Sequence, residues 1–186
     1  PGTGKTTLAK AIAKDCGVKF VQGSAAQWMA AGVSLGPHIS EIRKTFAEAR
    51  RYAPSILFID EIDSIGSRER HMGDHNSGYM ANVVNAVLEL IQGIDSAAPV
   101  FVIGATNHVD HVDPALRRSG RLDRVIAIPL PSSESLGKIY DHYLASTVRD
   151  YSSLDKSVDT KAIGRMSLGL TGADVVRIVR GAGRRA

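Results

Sequence analysis

The sequence predicts an α/β fold: a parallel sheet covered by helices on both faces, followed by a small all-helical unit. Two strand-length apolar runs, Ile56-Leu57-Phe58-Ile59 and Val100-Phe101-Val102-Ile103, are separated by helical patterns. Uninterrupted apolar strands of this kind are buried on both faces, as in parallel sheets, which bind ligands at the carboxyl ends of their strands. The opening residues Pro1-Gly2-Thr3-Gly4-Lys5-Thr6-Thr7 read as the later part of a phosphate-binding loop. After Pro129 and Pro131 every pattern is helical.

Taken in order, Gly4 to Asp15 reads as a helix, with Leu8 and Ile12 among small alanines. Cys16 is expected to be a small buried residue closing it. A strand over Lys19 to Gln22 precedes a helix over about Ile39 to Ala53. The strand at Ile56 follows, then a helix from about Tyr79 to Gln92, the strand Val100 to Thr106, and a short last strand over Arg124 to Ile128. Gly66 to Gly78 has no apolar period and reads as a loop. Ser132 is a plausible cap for a helix over Leu136 to Thr147, and Arg149 to Asp159 is a polar connection. Thr171-Gly172-Ala173-Asp174 reads as a capping box opening the last helix.

The chemistry should sit just after each apolar run. In a phosphate loop small residues let successive N–H groups face one anion, and the following helix adds the positive end of its dipole. Lys5 would neutralise outer phosphate oxygens, and the Thr6 hydroxyl is placed to ligate Mg2+. A chance glycine turn before an amphipathic helix is the alternative. Asp60 and Glu61 leave the sheet directly after Ile59. Asp60 can hold the magnesium through its water shell, and Glu61 can polarise a water for in-line attack. Acids at a strand end can also merely cap the next helix. Asn107 ends the next strand and can donate to that water or to the terminal phosphate, although a lone Asn there is commonly a turn former. Asp113 to Arg124 carries Arg117, Arg118, Arg121 and Arg124. Arginine suits transition-state charge because its planar fork binds phosphate oxygens. With Lys5 and magnesium already present, some of these arginines should project toward an adjacent subunit, a solvated basic loop being the alternative.

Composition bounds the rest. The 186 residues, 44% apolar and 23% charged, suffice for one sizeable core and a small satellite. No uninterrupted apolar run reaches the roughly 18 residues of a membrane span. One cysteine excludes internal disulfides and fits a reducing compartment. A net charge of +4 is mild, and aromatics at 5% argue against a base-stacking platform for nucleic acid. Arg177, Arg180, Arg184 and Arg185 read as a solvated helix face. His71 and His75 are spaced by four but lack the glutamate of a zinc-protease helix.

The set PGTGKTT, ILFIDEID, GATN and DPALRRSGRLDR, followed by GLTGADV, closely resembles the classical AAA branch of the AAA+ ATPases. Within that branch it is similar to the membrane-anchored zinc metalloproteases, the valosin-containing-protein group and the proteasomal ATPases. The resemblance implies a P-loop NTPase core over residues 1–131 lacking its first strand, with an incomplete helical lid over 132–186. It implies an ATP-hydrolysing homo-oligomer, usually a hexameric ring, that unfolds or remodels proteins. Its address would be cytoplasmic, or the cytoplasmic face of a membrane if an anchor lies upstream.

By position, Gly2, Thr3, Gly4, Lys5, Thr6 and Thr7 become Walker A, with ATP and Mg2+ as ligands. Asp60 and Glu61 become Walker B, and Asn107 becomes sensor 1. Arg118 and Arg121 match paired arginine fingers, with Arg124 structural. Gly172 and Ala173 match backbone bordering the adenine, and Ile139 lines that pocket, but Tyr143 stands where histidine is common and His142 lies beside it. Where many translocating members carry an aromatic before a glycine, this chain has Val33-Ser34-Leu35-Gly36-Pro37, which should grip a polypeptide less; Trp28 lies too early to substitute. In the family fold a strand before Pro1 would lie between the Val100 strand and the last strand, so these residues alone should leave a gap in the core and be inactive.

Three other readings compete. Asp60-Glu61-Ile62-Asp63 also spells the D-E-x-D of a helicase, but no second sheet domain fits. Asn107-His108-Val109-Asp110 resembles the N-K-x-D of GTPases without its lysine. A non-hydrolysing nucleotide-binding scaffold is disfavoured by the presence of Glu61, Asn107, Arg118 and Arg121 together.

Overall fold

The computed structural model describes residues 1–32, 34–66, 77–94, 98–147 and 158–183. It confirms the α/β class, in two compact units: Thr6–Ile126, and Ala127–Ala186 together with Pro1–Lys5.

The first unit is built on three parallel strands, β1 (Lys19–Ser24), β2 (Ser55–Asp60) and β3 (Val100–Gly104), in that spatial order. Gln22 pairs with Phe58, and Phe58 with Ile103. Because successive side chains alternate, β2 feeds two layers at once. Phe58 packs with Ala9 and Ala105 beneath α1 (Lys5–Asp15), while Leu57 and Ile59 join the larger cluster on the opposite face. That cluster takes Ile42, Phe46 and Ala49 from α3 (Leu35–Arg51) and Val83, Val84 and Val87 from α4 (Ser77–Gln92). Their spacings of three and four residues are those of helix faces that bury one stripe.

A short helix, α2 (Ala25–Ala30), which the sequence reading did not contain, follows β1 directly. Ser24 caps it by accepting from the Gln27 N–H at 3.3 Å. Trp28, 4% exposed, closes the core there, its indole N–H donating to Thr45 Oγ1 at 3.1 Å.

Two local expectations, a last strand and a buried Cys16, are corrected. Arg124 to Ile128 forms no strand, and Val125 and Ile126 are 64% and 80% exposed. A strand needs a neighbour for its N–H and C=O groups, and among the described residues none lies beyond β3, whose Phe101 is 67% exposed. On α1 the buried stripe is Ala9 and Ala13, whereas Leu8 and Ile12 are exposed, because the helix approaches the sheet closely through its small residues. Cys16 is exposed: α1 ends instead on Gly17, at φ 66°, with the Val18 N–H returning to the Ala13 carbonyl. Residues 67–76 and 148–157 of the expected loop and connection, with His71 and His75, lie outside the described residues, as do Arg184 and Arg185.

The second unit packs α5 (Ser133–Thr147), α6 (Thr160–Met166) and α7 (Gly172–Ala182) around Leu136, Tyr140, Val175 and Val179. Ser132 caps α5 as expected, accepting from the Ser135 N–H at 3.2 Å. The backbones of α5 and α6 touch at glycines: a Cβ on Gly164 would stand 2.4 Å from the Ser133 carbonyl oxygen and 2.8 Å from the Gly137 nitrogen. The capping box forms, with the Asp174 carboxylate accepting from the Thr171 N–H at 3.0 Å.

Candidate functional site

The expected site residues gather in two places. In the helical unit, Gly2 and Gly4 hold φ of +79° and +90°, the left-handed region that glycine enters without steric cost. A side chain on Gly2 would also collide, its Cβ falling 2.9 Å from both Ala173 Cβ and Thr171 Oγ1. The Gly2 carbonyl accepts from the Ala173 N–H at 3.3 Å. A Cβ on Gly172 would lie 3.6 Å from the Gly2 oxygen and 4.0 Å from Ile139 Cδ1. Gly2, Ile139, Gly172 and Ala173, about 170 positions apart at the extremes of the chain, are thus neighbours. Tyr143 packs into the core of this unit, and exposed His142 meets its ring edge-on at 5.0 Å.

Lys5, Thr6 and Thr7 form the first turn of α1, which contains no acidic residue to compete for an anion. Ala9 rests on Phe58 and Ala105, and Lys10 lies over the ring of Phe20 near the start of β1. The helix therefore runs back along the sheet from its carboxyl edge, and its first turn stands at that edge.

The same edge carries the acids. Asp60 is the last residue of β2, and its Oδ1 accepts from the Glu61 N–H at 3.0 Å. Glu61 sits at φ 51°, ψ 44°, the sole described non-glycine residue with positive φ, and is exposed. A glutamate in this region is uncommon and strained, a condition that clusters at functional sites. Hydrogen bonds on either side hold it: the Ala105 N–H donates to the Ile59 carbonyl at 2.8 Å, and the Ile62 N–H to the Ala105 carbonyl at 3.0 Å. The end of β2 is thereby zipped to the end of β3, two residues before Asn107.

Sequence reasoning missed the two side chains that support this edge. The Thr106 hydroxyl donates to Asp63 Oδ1 at 2.7 Å and accepts from the His108 N–H at 2.8 Å. Thr106 thus clamps both sides of Asn107, and Asp63 anchors the clamp to the turn that follows Glu61. Asp63 entered the sequence reading only as the last letter of a helicase-like motif; its partner 43 positions away left no local signal.

The arginine loop is built differently. Buried Asp113 accepts from the Ala115 N–H at 2.8 Å, and the Leu122 N–H reaches back to the Leu116 carbonyl at 3.0 Å. Gly120, at φ 78°, turns the chain, and its N–H donates to Asp123 at 3.3 Å. Arg121 is partly buried and donates through Nη1 to the Ala115 carbonyl at 2.6 Å, whereas Arg118 is exposed. The expected pair is therefore split, one member turned onto its own loop and the other outward.

Comparison with known proteins gives these positions a context. Residues 1–130 match the model of the "ATPase family associated with various cellular activities (AAA)". The chain is 39% identical over 183 residues to the "ATP-dependent zinc metalloprotease FTSH 9, chloroplastic" of Arabidopsis thaliana, covering 96% of this chain and 22% of that protein. It is 38% identical over 180 residues to the "ATP-dependent zinc metalloprotease FtsH 3" of Sorangium cellulosum, covering 96% of this chain and 29% of that protein. The chain thus spans less than a third of the length of these relatives. No described helix is long and apolar enough to cross a membrane. The phosphate-loop residues, the acids at the sheet edge and the arginine loop all fall within the matched region, and the chain belongs to the AAA family as an ATP-hydrolysing module.

Proposed function

We propose that this module binds ATP with Mg2+ and hydrolyses it within a homo-oligomeric, hexameric ring, converting turnover into the unfolding or remodelling of protein substrates. The observation that carries the reading is Glu61, held left-handed and exposed at the sheet edge while the Asp60 carboxylate accepts its N–H. Gly2 to Thr7 wrap the phosphates, Lys5 neutralises their outer oxygens, and Ile139, Gly172 and Ala173 border the adenine. The donor set suits the ion: the Thr6 hydroxyl and the Asp60 carboxylate are hard oxygen ligands of the kind magnesium takes beside phosphate. They would hold Mg2+, which supplies charge neutralisation when bound.

Glu61 orients and deprotonates the attacking water, and Asn107 contacts that water or the terminal phosphate. Arg118 and Arg121 are the candidates for completing a neighbour's site, Arg118 being the one already turned outward. Changing Glu61→Gln in the full-length protein should lower turnover by about 10²- to 10⁴-fold, the range for a general base, while ATP binding persists. Turnover equal to the parent would overturn the role of Glu61.

By sequence position the substrate-facing segment is Val33-Ser34-Leu35-Gly36-Pro37, which leads into α3. It carries no aromatic at Ser34 or Leu35, and Trp28 is committed to the core. Contact with a translocating polypeptide there is accordingly weak, which favours remodelling of loosely held proteins over processive threading.

A further inference from the structure

His38 belongs to no part of the chemistry above, yet it is 4% exposed and uses both ring nitrogens. Its Nε2 lies 2.9 Å from the Gly32 carbonyl oxygen, and its Nδ1 meets the Tyr79 hydroxyl. The two rings cross edge-on at 88° with centroids 5.7 Å apart. A carbonyl can only accept, so Nε2 carries the proton; Nδ1 is then the acceptor and the Tyr79 hydroxyl donates. Burying an imidazole is unfavourable unless both nitrogens are satisfied, and an apolar residue could fill the same space without that requirement. What the histidine adds is direction: two fixed bonds, one to each of two segments.

Those segments are the loop after α2 and the first turn of α4. Gly32 is also pressed against α3, since a Cβ there would stand 3.1 Å from Pro37 Cβ and Cγ. The turn Ile62–Ile65, which begins one residue after Glu61, packs against both α2 and α4. The loop at Gly32 therefore rests on that turn by two routes, through α2 on its N-terminal side and through Tyr79 and His38 on its C-terminal side.

We propose that His38 is a positioning residue that locks the Gly32 loop to α4 and so makes the loop follow the turn behind Glu61. The functional half rests on the reading that residues 33–37, which follow Gly32, face protein substrate. The contact chain gives a physical route by which the state of the nucleotide site biases that loop.

The test compares His38→Ala, Tyr79→Phe and His38→Gln in the full-length protein. Amide hydrogen exchange over residues 30–36 should quicken by about tenfold in the first two, as expected when an anchoring bond is lost. Glutamine offers one donor and one acceptor, so His38→Gln should recover most of the protection. Basal ATP turnover should stay within about twofold of the parent, because none of these side chains reaches the reacting groups. Stimulation of turnover by carboxymethylated casein should fall in His38→Ala and Tyr79→Phe and return in His38→Gln.

Unchanged exchange at 30–36 in Tyr79→Phe, with an unaltered melting temperature, would overturn the lock; this milder variant decides the matter if His38→Ala does not fold. Faster exchange with casein stimulation intact would overturn the coupling to substrate. A parent protein indifferent to casein would instead overturn the substrate reading, while the exchange measurement still decides whether His38 anchors the loop.

Discussion

The sheet edge at Asp60 to Asp63 and the arginine loop at Asp113 to Arg124 hold their groups by opposite means. At the edge, support comes from neighbours of the proposed reactive residues: Asp63 and Thr106 form the clamp beside Glu61 and Asn107. In the arginine loop, one of the two expected fingers is itself a support, since Arg121 donates to the Ala115 carbonyl. Where support and chemistry sit on different residues, they can be separated by mutation. Where one residue does both, loss of activity alone says nothing about which role failed.

The largest effect should come from Arg118→Ala. If it alone reaches a neighbour's phosphate, turnover by the assembled protein should fall by about 10³-fold or more, the range for a trans-acting arginine, with no change in the melting temperature. Equal loss in Arg118→Ala and Arg121→Ala with unchanged melting for both would show that the two arginines act alike. A smaller effect is expected from Thr106→Val, which keeps the shape but removes the hydroxyl that joins Asp63 to the His108 N–H. Loosening a positioned catalytic group by this route should lower turnover by roughly tenfold to a hundredfold while KM for ATP moves little.

Arg121→Ala should act on stability as well. Losing one partly exposed hydrogen bond from a charged donor should cost about 1 kcal/mol, a melting shift of a few degrees, and Arg121→Lys should not fully restore it because the planar fork is gone.

The smallest effect lies in the helical unit, where Asp174 is support alone. Its carboxyl is held below the ordinary range first by the Thr171 N–H and then by the Thr171 hydroxyl, with Arg177 assisting. A carboxyl lowered in the folded state binds fewer protons there than in the unfolded chain, so stability rises with pH through that window. The capping box should therefore be at full strength above the usual carboxylate pKa and be lost as pH falls through the lowered folded value. The difference in melting temperature between the parent and Asp174→Asn should close on acidification, and Thr171→Ala should cost about 1 kcal/mol at neutral pH.

Much of this was legible in the sequence because the signals were local. The apolar runs at Ile56 and Val100 fixed β2 and β3, and Thr171 to Asp174 spelled its own cap. Short helices escaped: α2 has six residues and α6 seven, too few for a period to repeat. The buried face of α1 is not legible from residue size, since Ala9 and Ala13 let the helix come close while Leu8 and Ile12 stay exposed. The Arg124 to Ile128 run has strand composition without a ladder partner among the described residues, and composition cannot supply one. The Thr106 clamp, the His38 bridge and the inward turn of Arg121 depend on which backbone group stands nearby, information that exists only after folding.

Trp28 gives the module a signal of its own. It is the single tryptophan in these 186 residues, its indole N–H is fixed to Thr45, and its helix lies between the turn behind Glu61 and the loop at Gly32. Indole emission responds to solvation and hydrogen bonding, so movement of α2 during the nucleotide cycle would change the colour or intensity of the light this segment emits, with no label attached.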